Sequence, residues 1–493
     1  MELHARVSRA LFALVALAAM GDECEATAQM TPVGAPFAVS SDLTSTPIPA
    51  VAMNANGDFV VVWSIDAPGG AADFDVFARR FDRTGTPFGT AEFTVNTITS
   101  GNQTDPSVAF IGDGSNFVVV WTGTDANYAG IRGNVFDDTN TPQLGQDAVF
   151  NDEEVGDERR PAVAGTDTGF VVTWEHAPIG ADSEIRSRVF ASNGTAGPDG
   201  TVVTASSVSL ADVDAADDGS FVVTWVQGVA LQNTDIFARR FDDTGTAAGT
   251  AFIVNSFTTE RQTRPHVQVG GAGDFVVAWD LGTSYVPSFQ RFDSTGTKLG
   301  GETAAAERDA PSPNPSFIDL ALVADGSFAT TYVGPSAVAP IRGLLFDDTG
   351  SVIDSDPSNP IHAEFLVHDS TDSGNKETTA TYPAIATDGC GLYVVAYGNN
   401  GAFSQGVAPH AAARLFTSGP TCAANPSCGD ADGNGSTTAS DALFTLRAAV
   451  GSATCALCVC DVNGDGHVTA SDALLVLRAA VGTIVSFSCP ACP

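Results

Sequence analysis

The oxygen-bearing residues with the most demanding spacing lie near the end of the chain. Asp430-Ala-Asp432-Gly-Asn434-Gly-Ser436-Thr-Thr438-Ala-Ser-Asp441 returns 31 residues later as Asp461-Val-Asn463-Gly-Asp465-Gly-His467-Val-Thr469-Ala-Ser-Asp472. Side-chain oxygens stand at positions one, three, five and twelve of each twelve-residue run. Gly435 and Gly466 hold position six, where a loop wrapping an ion must turn sharply. Hard oxygen donors in this order fit Ca2+. Two ions are expected, one per loop. Asp430, Asp432, Asn434, Ser436, Thr438 and Asp441 would hold the first, and Asp461, Asn463, Asp465, His467, Thr469 and Asp472 the second. Ser436 and His467 contribute backbone carbonyls, and Thr438 and Thr469 act directly or through water.

Each loop runs into an apolar segment, 441–450 and 472–481, that reads as a helix bringing the twelfth ligand round onto the ion. No helix of comparable strength precedes either loop. Loop-then-helix, duplicated and ending in Asp, resembles the type I dockerin domain over about residues 429–486. The resemblance implies a calcium-dependent attachment module whose partner is a cohesin-like protein. It also implies that Ser440 and Arg447 in the first copy, and Ser471 and Arg478 in the second, contact that partner.

The chain ahead of this module is built from repeats. Phe59-Val-Val-Val-Trp63 recurs as 117–121, 170–174, 221–225 and 275–279, with degenerate copies at 328–332 and 393–397. A second marker, Asp75-Val-Phe-Ala-Arg-Arg-Phe81, runs in phase and recurs almost unchanged at 235–241. Each unit of about 50 residues holds four strand-like runs, in the first copy 50–53, 59–63, 75–81 and 92–95. The second run is β-branched and aromatic throughout, as a strand buried on both faces requires. Four short antiparallel strands per repeat define a β-propeller blade, and seven blades are counted. The segment Gly34-Ala-Pro-Phe-Ala-Val39 has the form of a fourth strand without its first three, and the last unit lacks a fourth after Phe416. Pairing of 37–40 with 411–416 would close the ring and remove its open edges. The fold class expected is mainly β: a seven-bladed propeller closed by an N-terminal strand, followed by a small α-helical calcium-binding module.

Loops of differing sequence on one propeller face are where a site would be grafted. Glu153, Glu154, Glu158, Arg159, Arg160, Glu175, Glu260, Arg261 and Arg264 fall in them, and can either line a central funnel or be solvated loop charges. Motif chemistry is absent: no HExxH, no Gly-x-Ser-x-Gly, and no two histidines at ligand spacing on one element. Neither Lys298 nor Lys376 follows a glycine, which excludes a phosphate-binding P-loop. A carboxylate pair drawn from two blades stays open as a hydrolytic centre.

Arg6 and Arg9, the apolar run 10–20 and Ala26-Thr27-Ala28 have the form of a secretory signal, with the mature chain starting near Gln29. Eleven apolar residues fall short of the ~20 that span a bilayer, and no membrane span is expected. Eight cysteines follow, all from residue 390 onward. Cys455-x-x-Cys458 and Cys489-x-x-Cys492 have zinc-knuckle spacing, but export favours disulfides. A bridge between Cys390 and Cys422 is expected, clamping the last blade. With 22 Lys+Arg against 58 Asp+Glu the net charge is −36, which argues against nucleic acid and anionic lipid as partners.

The resulting division is a signal peptide at 1–28, a propeller at 29–420, a linker at 421–427 and the calcium module at 428–493. The expected function is a secreted, non-catalytic binding or adhesion protein. Its propeller presents a face to a glycan or surface ligand, and its tail attaches it to a partner. The alternatives are a glycan-degrading hydrolase in a cellulosome-like assembly and a purely structural, calcium-stabilised surface protein.

Overall fold

The computed structural model describes residues 30–418 except 42, 44, 67–72, 113, 125–128, 146, 153–155, 231–232, 283–286, 306–315, 335–339, 354–363, 369–379 and 400–407. In the tail it describes 439–449, 460, 462–463, 467–480, 485 and 487. The strands form seven four-stranded antiparallel sheets. In the first these are Pro49–Met53, Phe59–Asp66, Phe74–Phe81 and Phe93–Thr94. The fold is the seven-bladed propeller the repeats imply. The innermost strands are Pro49–Met53, Gln103–Ile111, Gly156–Thr166, Val208–Ala215, Gln262–Val269, Ser316–Leu322 and Ala380–Thr387. They adjoin one another in chain order, and the seventh adjoins the first.

Closure uses the N-terminal segment. Met30–Ala38 pairs antiparallel with His410–Ser418, from Met30 opposite Ser418 to Ala38 opposite Ala412. The amide of Val39 then donates to the Ala411 carbonyl at 2.8 Å. The strand starts seven residues earlier than the expected 37–40, and a bulge between Val33 and Phe37 absorbs the extra length. The fourth strand of blade 1 is shorter than expected, two residues. Beyond it Asn96 takes over the ladder: its Oδ1 accepts the Val76 amide at 2.7 Å and its Nδ2 donates to Asp75 at 2.6 Å.

Seven apolar clusters hold the ring together, one at each blade–blade seam. Phe59 through Trp63 are completely buried, because the second strand is covered on both faces by neighbouring blades. The two repeat markers run in phase because their phenylalanines are cross-strand partners. Phe59 stacks on Phe81 at 5.0 Å, Phe117 on Phe136 at 5.2 Å and Phe275 on Phe292 at 4.7 Å. The closing tryptophan carries a polar handle. Trp121 Nε1 donates to Gln103 Oε1 at 3.0 Å, and Trp279 repeats the contact with Gln262 at 2.8 Å. Trp121→Ala is expected to cost about 4 kcal/mol. Trp121→Phe, which leaves Gln103 without its donor, should cost about 1–3 kcal/mol. Urea unfolding of the two variants measures both.

Candidate functional site

The tail carries the first candidate site. Helix α1 (Ala439–Ala449) and helix α2 (Ala470–Ala480) pack through Ala442, Val462 and Val476. Cys460 is fully buried beside Thr445, whose hydroxyl donates to its sulfur at 3.5 Å. Asp430, Asp432, Asn434, Ser436 and Thr438 lie outside the described residues, as do Asp461, Asp465 and the side chains of Ser440 and Asp441. The rest of the second loop is described. Thr469 caps α2, and Asp472, three residues on, is completely buried. Its carboxylate accepts the Thr469 amide at 2.9 Å, the Thr469 hydroxyl at 2.8 Å and the Asn463 amide at 3.2 Å. The carboxylate at the third helical position thus reaches back to the capping residue, which is one half of a capping box. It draws Asn463, Thr469 and Asp472, three of the expected ligands, to one point. His467 is exposed, as a residue ligating only through its backbone would be.

Three of the four residues expected to contact a partner can be placed, the side chain of Ser440 lying outside those described. Ser471 and Arg478 are exposed and Arg447 is half-buried. Beside them stand four exposed leucines, Leu443 and Leu446 on α1 and Leu474 and Leu477 on α2, 41–53% accessible. They occupy equivalent places in the two copies. The apolar character of both segments predicts burial, yet each helix keeps a leucine pair in solvent, and the only sequence signal of it is their spacing of three residues.

The second candidate site is the central channel of the propeller, a cavity of about 690 Å³ lined by the innermost strands of all seven blades. Of the nine loop charges expected in a funnel, Arg264 is the only one among the described residues that lines it. Glu153 and Glu154 lie outside the described residues. Glu158 is buried against His176, with Oε1 2.5 Å from Nδ1. Glu175 is a structural clamp: both its oxygens take Arg160 at 3.0 Å, and Oε1 also accepts the Leu210 amide of the next blade at 2.6 Å. Arg159 faces Asp157 at 3.9 Å. Glu260 offers its carbonyl to Gln262 at 3.4 Å, and Arg261 is an exposed loop charge.

The channel residues come instead from the strands. Six inner strands carry a bulge whose first residue has a positive φ: Asp105, Arg160, Leu210, Arg264, Phe317 and Tyr382, all between 50° and 58°. A side chain in this region costs of order 1 kcal/mol, and such residues concentrate at sites. Three of them, Arg264, Phe317 and Tyr382, rim the cavity with Ile48 of blade 1. The Arg264 guanidinium lies 4.2 Å over the Phe317 ring, and Phe317 meets Tyr382 edge-on at 4.5 Å.

Two residues further along, the chain places Asp212, His266 and Asp319 on blades 4, 5 and 6. His266 Nδ1 sits 3.7 Å from Asp212 and 3.4 Å from Asp319. Each carboxylate also ties its blade to the next. Asp212 accepts the Val267 amide at 2.9 Å, Asp214 the Val269 amide at 2.7 Å, and Asp319 the Ile385 amide at 2.9 Å. Burial pushes all three above the usual carboxylate range, with Asp214 raised to about 7. A carboxyl that binds its proton more tightly when folded stabilises the fold below pH 4 and loses that contribution as pH rises through 7. Asp214→Asn keeps an acceptor for Val269 and cannot ionise. Thermal melting between pH 5 and pH 8 should therefore fall less steeply in this variant than in the parent.

Cys390 is half-buried in the turn between the first two strands of blade 7, where its amide donates to Asp388 Oδ1 at 2.8 Å. Cys422, its expected disulfide partner, lies outside the described residues, as do 1–28 and 421–427.

The fold and the tail define a propeller joined to a dockerin module. Residues 428–481 match the family model of the dockerin type I domain. Dockerin type I domains bind calcium and attach to cohesins. A search of the curated proteins finds no match to the chain. Among solved structures the chain is similar to a protein of unknown function from Dyadobacter fermentans, at 13% identity over 79% of this chain and 99% of that one, with a TM-score of 0.47. It is also similar to the α-L-arabinanase of Penicillium chrysogenum complexed with arabinobiose, at 13% identity over 64% of this chain and 100% of that one, TM-score 0.43. A third is the subtype N11 neuraminidase-like protein of A/flat-faced bat/Peru/033/2010, at 9% identity over 80% and 94%, TM-score 0.42. None of these likenesses bears on what this chain binds. No helix among the described residues is long and apolar enough to cross a membrane.

Proposed function

We propose that the protein is an exported, non-catalytic display body. Its dockerin module docks on a cohesin-like partner in a calcium-dependent manner, and its propeller presents the channel mouth to a ligand. The observation that carries the docking is the repeated outer face of α1 and α2. Leu443 with Leu446, and Leu474 with Leu477, stay in solvent beside Arg447 and Arg478. Exposed apolar pairs flanked by basic residues make an interface core with a polar rim. In this reading residues 1–28 are a removed signal, 29–420 the propeller, 421–427 a linker and 428–493 the module, which holds two Ca2+. Oxidation of the tail cysteines is part of this reading, and the complete burial of Cys460 between the helices supports it. Titration of a type I cohesin panel against the full chain in calcium should give binding that EGTA removes. Replacing Leu474 and Leu477 together with Leu443 and Leu446 by Asp should weaken it at least 100-fold. Unchanged affinity in that variant would refute docking through this face.

The hydrolase reading keeps one specific support, the channel carboxylates Asp212, Asp214 and Asp319, of which Asp214 stays protonated up to about pH 7. A general acid and an ionised partner are what glycoside hydrolysis needs. The display reading is preferred because each of the three carboxylates already has a structural role at a blade seam. A glycan panel scored for both retention and cleavage separates the two: turnover abolished by Asp214→Asn would replace display by catalysis.

A further inference from the structure

We propose that the propeller channel binds an aliphatic ammonium group, with its stem along one wall and its charge on the other. The inference deepens the reading of the propeller as a ligand-presenting body and rests on it. The channel is two-sided. Blades 7, 1, 2 and 3 line it mainly with small apolar groups, including Ala384, Ala386, Ala50, Ala52, Ala109 and Ala164, with Ser107 as a polar exception and Thr387 and Asp388 at the end away from the mouth. Blades 4, 5 and 6 line it with Asp212, Asp214, His266, Gln268 and Asp319. One wall therefore suits a hydrocarbon stem and the other a hydrogen-bond donor carrying positive charge.

The carboxylates are wet enough to meet a ligand. The side chains of Asp212 and Asp319 keep 24% and 18% of their accessibility, and His266 keeps 38%. One oxygen of each carboxylate takes a backbone amide from the next blade, and a carboxylate has capacity for more donors than that. The rim already shows the chemistry with a residue of the chain itself. Arg264 lays a cation 4.2 Å over Phe317, while its Nε donates to Asp280 at 2.8 Å. An aromatic face beside a carboxylate is a cation site. Ile48, 55% exposed, and Tyr382 continue the rim with apolar surface that an incoming stem can cover.

Charge at longer range selects the same class. The whole chain carries −36 and has two lysines, so its field draws cations toward a channel walled with carboxylates and repels anions from it. A neutral sugar would leave the charge of three carboxylates unused. A primary amine on an alkyl chain uses both walls, and it can arrive free or as a lysine side chain. Raising Asp214 to about 7 adds a linkage: an ammonium favours the ionised carboxylate, so binding near neutral pH releases a proton.

The test is calorimetric titration of the full chain, with calcium present, at pH 8. The probes are 1,6-diaminohexane, its neutral isostere 1,6-hexanediol, and the capped tripeptide acetyl-Gly-Lys-Gly-amide. The diamine should bind and the diol should not. Asp319→Asn keeps an oxygen for the Ile385 amide and gives up only the local Leu320 amide that Oδ1 accepts at 2.9 Å, so it should stay folded, checked by melting, and bind the diamine at least 10-fold more weakly. Asp243→Asn, an exposed control, should bind as the parent does. Binding of the tripeptide as well assigns the source to a lysine side chain, and binding of the diamine alone assigns it to a free amine. The proposal falls if the diamine gives no heat, if the diol matches it, or if Asp319→Asn and Asp243→Asn weaken binding equally, the last meaning diffuse surface charge. Any of these with cohesin binding and ligand display intact leaves the display reading standing.

Discussion

Asp472→Ala is expected to abolish calcium binding at the second loop and to unfold the end of the tail that depends on it. Two contributions are lost together. The first is the cap on α2, where the buried carboxylate accepts the amide and hydroxyl of Thr469 and the amide of Asn463. Losing such a cap costs about 1 kcal/mol. The second is the twelfth ligand of the loop, and in a small module the binding energy of the ion is folding energy. Asp472→Asn separates them. It keeps an acceptor for Thr469 and loses the charge, so it should retain helix α2 while its calcium affinity drops at least 100-fold. Calcium titration by calorimetry reads the ligand, and melting with and without EGTA reads the fold. If Asp472→Asn binds calcium like the parent, the role of this carboxylate is capping alone and the ligand set is wrong. Asp441→Ala is the matching test for the first loop, and the double variant should leave the tail without cohesin binding.

The architecture was legible because a propeller repeats one physical problem seven times. A second strand covered on both faces must be apolar at every position, so Phe59–Trp63 and its copies stand out from any background. Phe81 and its copies mark the third strand because each must stack on the first phenylalanine of that buried run. The calcium loops were legible for a similar reason: ion wrapping fixes residue type and spacing within twelve positions. The channel was not legible in the same way. Its residues sit on the one strand per blade that faces a cavity, where no packing partner dictates the side chain. Asp212 and Asp319 occupy positions held by Ala50, Ala162 and Ala384 in other blades, and such departures carry no local signature. The charged loops carry a stronger sequence signal but a structural role: Glu175 is a clamp and Glu158 a buried partner of His176. One signal was present. Ile48-Pro49, Asp105-Pro106, Arg160-Pro161, Arg264-Pro265 and Tyr382-Pro383 place a proline just after the equivalent position of the inner strand in five of seven blades. Because proline donates no hydrogen bond, it marks where the inner strand leaves its ladder, and in blades 1, 5 and 7 the residue before it rims the cavity.

Deleting residues 30–40 is expected to prevent the propeller from folding as a monomer. The segment is short, but it belongs to two seams at once. Its backbone completes blade 7, from Met30 opposite Ser418 to the Val39 amide on Ala411. Ser40 adds a hydroxyl that accepts the Ala411 amide at 2.9 Å. Its side chains fill the junction with blade 1, where Phe37 lies 5.4 Å from Phe81 and 6.4 Å from Phe59, and Val39 is completely buried. Three large apolar side chains, Met30, Phe37 and Val39, leave the core at roughly 2 kcal/mol each, a large share of the stability of any domain. The deletion also uncovers the edge of His410–Ser418, an apolar strand carrying Ala411, Ala413 and Leu415, and such an edge pairs with other chains. The variant should therefore elute as oligomers and aggregates. A synthetic peptide of residues 30–40 added during refolding should restore the monomer, and a scrambled peptide should not. Phe37→Asp, which keeps the backbone pairing and ruins the seam, should fall between the parent and the deletion in melting temperature. A deletion variant that stays monomeric and melts like the parent would mean that the ring is closed by the seam between blades 7 and 1 without this strand.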